Sequence, residues 1–216
     1  MKKDYIKDIP GGERRYIDPL MEVRSGNDSE DHIQGIAAVT EKVTDLGWFE
    51  EIIAIGAFDD VLNGDTVALF NHDANLPLAR TTAKDPAKLK LTTNKEGHLA
   101  YDYPPPKTSI GSDLTENIRN EVIQHSSFAF TISEEKWDFA TKENGREKDL
   151  RTIIKIDRLY DVSPVTFPAY IDTTVAARSK KALTKEKHSE QAEKSDEIEN
   201  YQRQIQIIRI KNKIKL

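Results

Sequence analysis

The sequence predicts an α+β fold dominated by strands: an antiparallel barrel or sandwich with helices at its edge. Three observations support this prediction. Apolar runs of strand length recur along the first 178 residues, a single segment has clear helical periodicity, and few segments have the spacing of a strand–helix–strand unit. We therefore expect about seven strands and one well-defined helix in this part of the chain.

Each predicted strand is a short apolar or alternating run with turn residues around it. The strands are predicted at 35–40, 51–55, 66–70, 89–93, 99–103, 127–133 and 153–167. Residues 94–97 form a hairpin loop between two of these strands, and Pro104 ends the second because proline cannot donate to a ladder. In the strand at 127–133 large apolar and small residues alternate with a period of two, which predicts one core-facing side.

The clearest helix is predicted at 113–124, where Ser112 or Asp113 can cap the first turn. Its apolar face consists of Leu114, Ile118, Val122 and Ile123. The segment 141–149 is polar and contains one glycine, so we expect a surface loop there.

The charge divides the chain into two parts at about Arg178. Residues 179–216 contain ten Lys and Arg against six Asp and Glu, a net charge of +4, which leaves 22 against 31, or −9, for residues 1–178. We therefore predict a compact domain over 1–178 and a charged helical tail over 179–216. From Ile198 onward apolar residues recur every three to four positions, although these β-branched residues are also compatible with a strand. The tail is either a solvated appendage or a helix that binds a partner.

Composition excludes several classes of protein. The chain of 216 residues has no cysteine, which excludes disulfides, a thiolate nucleophile and Cys-ligated metal sites. A net charge of −5 argues against nucleic-acid binding, and no apolar run reaches the ~20 residues of a membrane span. The start lacks the apolar core of a signal peptide, so a soluble cytoplasmic protein is expected. Signatures of zinc peptidases, P-loop enzymes, dinucleotide-binding folds and α/β-hydrolases are absent from the sequence.

Three polar residues stand out against the strand pattern. His72 ends a predicted strand, Ser127 opens another, and Asp161 lies alone in an apolar strand. A carboxylate buried without a partner costs several kcal/mol, so Asp161 needs a partner, and an imidazole is a suitable one. Each residue also has an ordinary structural explanation: a partly exposed histidine, a cap or turn serine, and an aspartate bonded to the backbone or to an arginine.

Six short blocks resemble the prohead serine proteases of tailed phages, which mature the capsid. The blocks are Gly35–Val39, Glu51–Phe58, Leu69-Phe-Asn-His-Asp73, Leu78–Thr81, Ser127-Phe-Ala-Phe130 and Asp161-Val-Ser-Pro-Val-Thr-Phe-Pro-Ala-Tyr170. The resemblance runs in order from about residue 14 to Arg178. It implies a fold similar to that of the herpesvirus capsid-assembly proteases, a mostly antiparallel β-barrel with peripheral helices.

The resemblance also implies a catalytic set. It makes Ser127 the nucleophile, His72 the base and Asp161 the acidic member that orients the histidine. The sequence departs from the family pattern at two places: Asp161 stands where glutamate is common, and Ala129 stands where glycine is usual. For the mechanism, Arg151 and Arg146 precede the Asp161 strand and are candidates to support the oxyanion hole. No cofactor or metal is expected.

The implied role is that of a prohead maturation protease, a serine endopeptidase that cleaves scaffold or capsid-protein segments and itself. Its expected partners are the major capsid protein with its scaffold segment and further copies of the chain, with no nucleic acid and no membrane. It would act in the host cytoplasm, inside the assembling prohead, and remove its own tail between about Ala176 and Ser195. Two alternatives remain: an inactive assembly protein on the same fold, and a different hydrolase.

Overall fold

A computed structural model describes residues 5–17, 21–25, 31–141 and 144–167. They form a short 3₁₀ helix at Tyr5–Asp8, one α-helix and eleven strands. The strands are β1 (Glu13–Ile17), β2 (Met21–Ser25), β3 (Asp31–Ala38), β4 (Thr44–Asp45), β5 (Phe49–Ile53), β6 (Val67–Leu69), β7 (Pro77–Arg80), β8 (Lys90–Thr93), β9 (Leu99–Tyr103), β10 (His125–Asp138) and β11 (Asp149–Val165), and the helix is α1 (Ser109–Arg119).

The larger sheet is built around the long hairpin of β10 and β11. Its order is β1-β10-β11-β5-β4, and β6 pairs with β11 and with β7. The sheet is mixed, because β5 and β6 run parallel to β11 whereas the other pairs are antiparallel. β5 pairs with the first residues of β11 and β6 with residues near its end, so this one strand connects two separate segments of the chain in the sheet.

The smaller sheet is antiparallel, in the order β2-β3-β9-β8. The predicted hairpin at 94–97 joins β8 to β9, and Gly97 in its loop has a φ of 82°, which favours glycine. One apolar cluster draws on both sheets and α1, and it includes the fully buried rings of Phe128 and Phe130. The period-two pattern of β10 therefore predicted its core-facing side correctly.

The helix begins and ends earlier than the periodicity predicts. It spans Ser109–Arg119, and Thr108 rather than Ser112 or Asp113 caps it by accepting a hydrogen bond from the backbone N–H of Gly111. Gly111 lies against Pro106, where a Cβ atom would come within 2.0 Å of the proline carbonyl oxygen, so packing places a poor helix former in the first turn. Val122 lies beyond the helix and is 61% exposed.

The prediction of a mostly stranded domain with one helix is confirmed for the described residues, but the predicted, mostly antiparallel barrel of about seven strands is not: these residues form two sheets with more strands, one of them mixed, and no closed barrel. Four register shifts interrupt the pairing of β10 with β11, and irregularities of this kind bend a strand and increase its twist. The strands β1 and β5 are joined by a side-chain bond between Arg15 and Glu51 rather than by a backbone ladder. The strands β1, β2, β4 and β7 were not predicted from the sequence.

The predicted tail, residues 179–216, lies outside the described residues, and so does the proposed boundary at Arg178. The division into a domain and a tail therefore stays a prediction. Within the described ranges, no helix combines the length and apolar character of a membrane span.

Candidate active site

Three side chains from three different elements meet at one imidazole ring. Nε2 of His72 lies 2.6 Å from Oγ of Ser127, and Nδ1 of the same ring lies 2.7 Å from Oδ1 of Asp161. The ring therefore bridges a hydroxyl and a carboxylate, one on each nitrogen. All three are secluded, since Ser127 and Asp161 are fully buried and the His72 side chain is 6% exposed.

The β10–β11 hairpin brings the serine and the aspartate together. Ser127 pairs with Ser163 and Ala129 pairs with Asp161, so the two residues lie diagonally across adjacent strands. Because side chains alternate along a strand, Ser127 points away from the side on which Phe128 and Phe130 enter the core. The sequence predicted this opposition.

The loop after β6 delivers the histidine. Asn71 and His72 both have a φ of 54°, a left-handed conformation that non-glycine residues adopt rarely and that asparagine and histidine tolerate better than most. Asn71 holds the loop in place: its backbone N–H donates to the Pro164 carbonyl at 3.0 Å, and its side chain exchanges two hydrogen bonds with Thr166. The end of β11 thus fixes the position of the imidazole.

The carboxylate of Asp161 is held in its charged form. Its Oδ1 accepts a hydrogen bond from Ser163 in addition to its contact with His72, and its Oδ2 accepts one from the Tyr5 hydroxyl. Burial alone would raise the pKa of Asp161, but its electrostatic interaction with the His72 ring and these hydrogen bonds outweigh burial and lower the pKa. An ionised carboxylate on Nδ1 leaves Nε2 as the proton acceptor for the serine.

The Ser127 hydroxyl has a second neighbour. Its Oγ lies 2.8 Å from the backbone carbonyl oxygen of Arg15 in β1, and this carbonyl can only accept a hydrogen bond. A hydroxyl has one proton, so it donates either to Arg15 or to Nε2 of His72 at a given moment. The arrangement can activate the serine only when the proton is directed to the histidine.

Five charged side chains from four strands form a buried cluster, which we call the charge cluster. Its members are Glu13 and Arg15 of β1, Glu51 of β5, Glu135 of β10 and Arg151 of β11. Arg15 binds Glu51 through two nitrogens at 2.6 and 2.7 Å, and Arg151 binds Glu13 at 2.8 Å through each of two nitrogens. Burial would raise the pKa of Glu13, but the two guanidinium groups lower it on balance.

The structure does not support the prediction that Arg151 and Arg146 support the oxyanion hole. Arg151 belongs to the charge cluster and pairs with Trp137 at the opposite end of the hairpin from Ser127. Arg146 is exposed, and its guanidinium lies 3.5 Å from Asp138 and 3.9 Å from Glu50. Sequence proximity to the Asp161 strand was misleading, because β11 is long: Arg151 lies near its start and Arg146 lies in the loop before it.

Sequence reasoning missed three residues at the site. Ser163 is two positions after Asp161 on the same strand, so a period-two reading of that block could have identified it. Tyr5 and the Arg15 carbonyl come from the N-terminal segment, whose sequence has no apolar periodicity that would predict a strand or a helix there. Among the described residues, no group of three or more His, Asp or Glu side chains is arranged to hold a metal ion.

Comparison with known proteins gives a family match for this chain. Residues 20–188, well over half of the chain, match the caudovirus prohead serine protease family. Among solved structures, the chain is similar to the bacteriophage T4 capsid assembly protease gp21, with a TM-score of 0.46 and 14% sequence identity over 73% of this chain and 98% of that one. A search of curated proteins gives no significant match. The matched residues include all three that meet at the imidazole, and residues 5–17 lie outside them.

Proposed function

Because the chain belongs to the caudovirus prohead serine protease family, we propose that it is an endopeptidase in which Ser127, His72 and Asp161 form the catalytic triad. Family membership makes the chain a peptidase of prohead maturation. The observation that carries the triad assignment is the imidazole of His72, within hydrogen-bond distance of both the Ser127 hydroxyl and the Asp161 carboxylate.

The proposed mechanism is acyl transfer. His72 takes the proton of Ser127 through Nε2 while Oγ attacks the peptide carbonyl, and the tetrahedral intermediate collapses when the histidine gives the proton to the leaving amine. Water then hydrolyses the acyl-enzyme with the same histidine as base. Asp161 keeps the proton of the neutral ring on Nδ1 and stabilises the imidazolium that forms.

The two departures from the family pattern fit this chemistry. Asp161 is one methylene shorter than the glutamate common at its position, and its contact of 2.7 Å with His72 supports an aspartate in that role. The methyl group of Ala129 is fully buried on the nucleophile strand, two residues after Ser127, where the usual residue is glycine. Both residues are compatible with the proposed proton transfer from Ser127 to His72.

The proposed substrates are segments of the capsid protein and its scaffold, cleaved inside the assembling prohead in the host cytoplasm. The chain itself is a further proposed substrate, with cleavage between Ala176 and Ser195 separating the charged tail. An exposed polar junction is where a protease can reach its own chain. The tail would then act as a targeting segment whose charge of +4 complements acidic surfaces of the scaffold.

Mass spectrometry of the purified full-length chain over time tests the proposal. We expect gradual trimming near residues 176–195 in the wild type, and no trimming in Ser127→Ala. Ser133→Ala is the matched control, since Ser133 is an exposed serine on the same strand. Trimming of Ser127→Ala at the wild-type rate would contradict the assignment and would favour an inactive assembly protein that another protease processes.

A further inference from the structure

The segment at residues 5–17 contacts the triad at two points although it lies outside the family match. The Tyr5 hydroxyl donates to the Asp161 carboxylate, and the Arg15 carbonyl accepts from the Ser127 hydroxyl. Both contacts involve residues that precede the matched range of 20–188. The N-terminal segment therefore lies against a site that the rest of the domain assembles.

Strand β1 occupies the edge of the nucleophile strand. It pairs antiparallel with β10 in the register Glu13↔Phe130 to Ile17↔Ser126, which places Tyr16 directly opposite Ser127. In the described sheet it has no neighbour on its other side. A protease that binds its substrate as an added strand offers an edge of this kind, with main-chain hydrogen bonds for affinity and side-chain pockets for specificity.

The contact between Ser127 and β1 resembles a substrate contact but is unproductive. The Arg15 carbonyl lies 2.8 Å from the nucleophilic oxygen, at the bond between Arg15 and Tyr16. The hydroxyl that donates to this carbonyl cannot at the same time donate to His72, so the base receives no proton. A strand in this position blocks the site and opposes its activation.

The side chain of Arg15 fills a pocket formed by the rest of the domain. Glu51 binds the guanidinium through both carboxylate oxygens, and the ring of Phe130 lies 5.6 Å from it. Without β1, Glu51 would lose its bidentate partner, and Glu51 and Glu135 would share Arg151 alone. A planar bidentate cation would restore the lost pair with Glu51.

We propose that β1 is an intramolecular substrate mimic: it occupies the substrate-binding edge of β10, closes the active site, and yields its place to extended peptides that carry an arginine in the Glu51 pocket. The inference rests on the proposed function of Ser127. It assigns a substrate class, an extended segment with arginine at the residue that donates the cleaved carbonyl. It also assigns a reason for latency, since the enzyme holds its own strand until a substrate displaces it.

The first test measures how fast a serine-directed fluorophosphonate labels Ser127 in the full-length chain. Arg15→Met removes the charge that anchors β1 and should raise the labelling rate at least about tenfold, whereas Arg15→Lys should give a smaller increase. Arg24→Met is the matched control, because this arginine of β2 is exposed and pairs with the surface carboxylate of Glu22. Measurable labelling of wild type and Arg15→Met at the same rate would overturn the proposal.

Hydrogen–deuterium exchange on the same variants separates an opened strand from a destabilised domain. We expect Arg15→Met to speed exchange in 13–17 and 126–130 and to leave 99–103 in the smaller sheet unchanged. Faster exchange in all three regions would mean that β1 is an ordinary structural strand, and would overturn the proposal. Local opening without any labelling of Ser127 would instead contradict the proposed nucleophile while supporting the mobile strand.

The substrate class is tested by competition in the Arg15→Met chain. A peptide with the sequence Gly-Glu-Arg-Arg-Tyr-Ile, taken from residues 12–17, should protect Ser127 from the fluorophosphonate. The same peptide with glutamine in place of its second arginine should need a concentration about tenfold higher. Equal protection by the two peptides would overturn the arginine pocket.

Discussion

Replacing Arg151 should destabilise the fold more than any surface change, because three carboxylates converge on it. The guanidinium binds Glu13, Glu51 and Glu135, stacks 5.7 Å from the ring of Trp137 and is 1% exposed. In Arg151→Met the side chain still fills space, but the carboxylates then face a single guanidinium. Removing one partner from a buried ion pair costs about 3–5 kcal/mol.

That loss converts into a measurable shift in unfolding. For a chain of this size, 1 kcal/mol corresponds to roughly 2–4 °C in Tm, so Arg151→Met should lower Tm by about 6–20 °C. Arg151→Lys keeps the charge but loses the planar fork, and should cost less than Arg151→Met. Arg24→Met, whose side chain is 63% exposed, should change stability by no more than about 0.5 kcal/mol.

Urea unfolding at pH 7, followed by tryptophan fluorescence, measures these differences. Trp137 packs against Arg151, so its emission should also change in the folded Arg151→Met chain. A stability loss below about 1 kcal/mol in Arg151→Met, similar to that of Arg24→Met, would refute the reasoning. It would mean that the buried carboxylates find other partners or take up protons without cost.

Three further predictions concern the site and the acid response. Asp161→Asn should lower kcat/KM for peptide cleavage by about 10⁴-fold with an unchanged circular dichroism spectrum, since control of the His72 tautomer is lost; a near-normal rate would make Asp161 structural. Ser163→Ala should lower kcat/KM about tenfold, because one hydrogen bond to the carboxylate disappears, and an unchanged rate would show that the bond is dispensable. The pKa values of Glu13 and Asp161 are lowered in the folded chain, so their stabilising contribution is complete above about pH 4.5 and is lost as the pH falls below it; urea midpoints that do not change between pH 7 and pH 3.5 would contradict this.

Patterns that depend on apolar burial were readable from the sequence. The alternation around Phe128 and Phe130 predicted the core side of β10, and the isolated carboxylate of Asp161 predicted a polar partner. Both inferences depend on the free-energy cost of burying a polar group or exposing an apolar one. This cost constrains the residues of a single segment, so it is visible in the sequence of that segment.

Features that depend on pairing between distant segments could not be predicted from the sequence of one segment. Strand β1 buries Glu13 and Arg15, so its sequence is polar and resembles a surface loop until the partners in β5 and β11 are known. The register shifts between β10 and β11 follow from the pairing of the two strands rather than from either sequence alone. The same holds for Arg151, whose role is set by carboxylates far away along the chain.

The loop that carries His72 limits which substitutions the sequence can accept during evolution. Asn71 belongs to one of the blocks that carry the family resemblance and Thr166 to another, yet two hydrogen bonds join these two residues. An exchange such as Thr166→Val, conservative in shape, would remove one of the three hydrogen bonds that hold the loop with its two left-handed residues, because the two bonds made by backbone N–H groups would remain. Asn71 and Thr166 are therefore coupled, and we expect a substitution at either position to be tolerated only with a compensating substitution at the other.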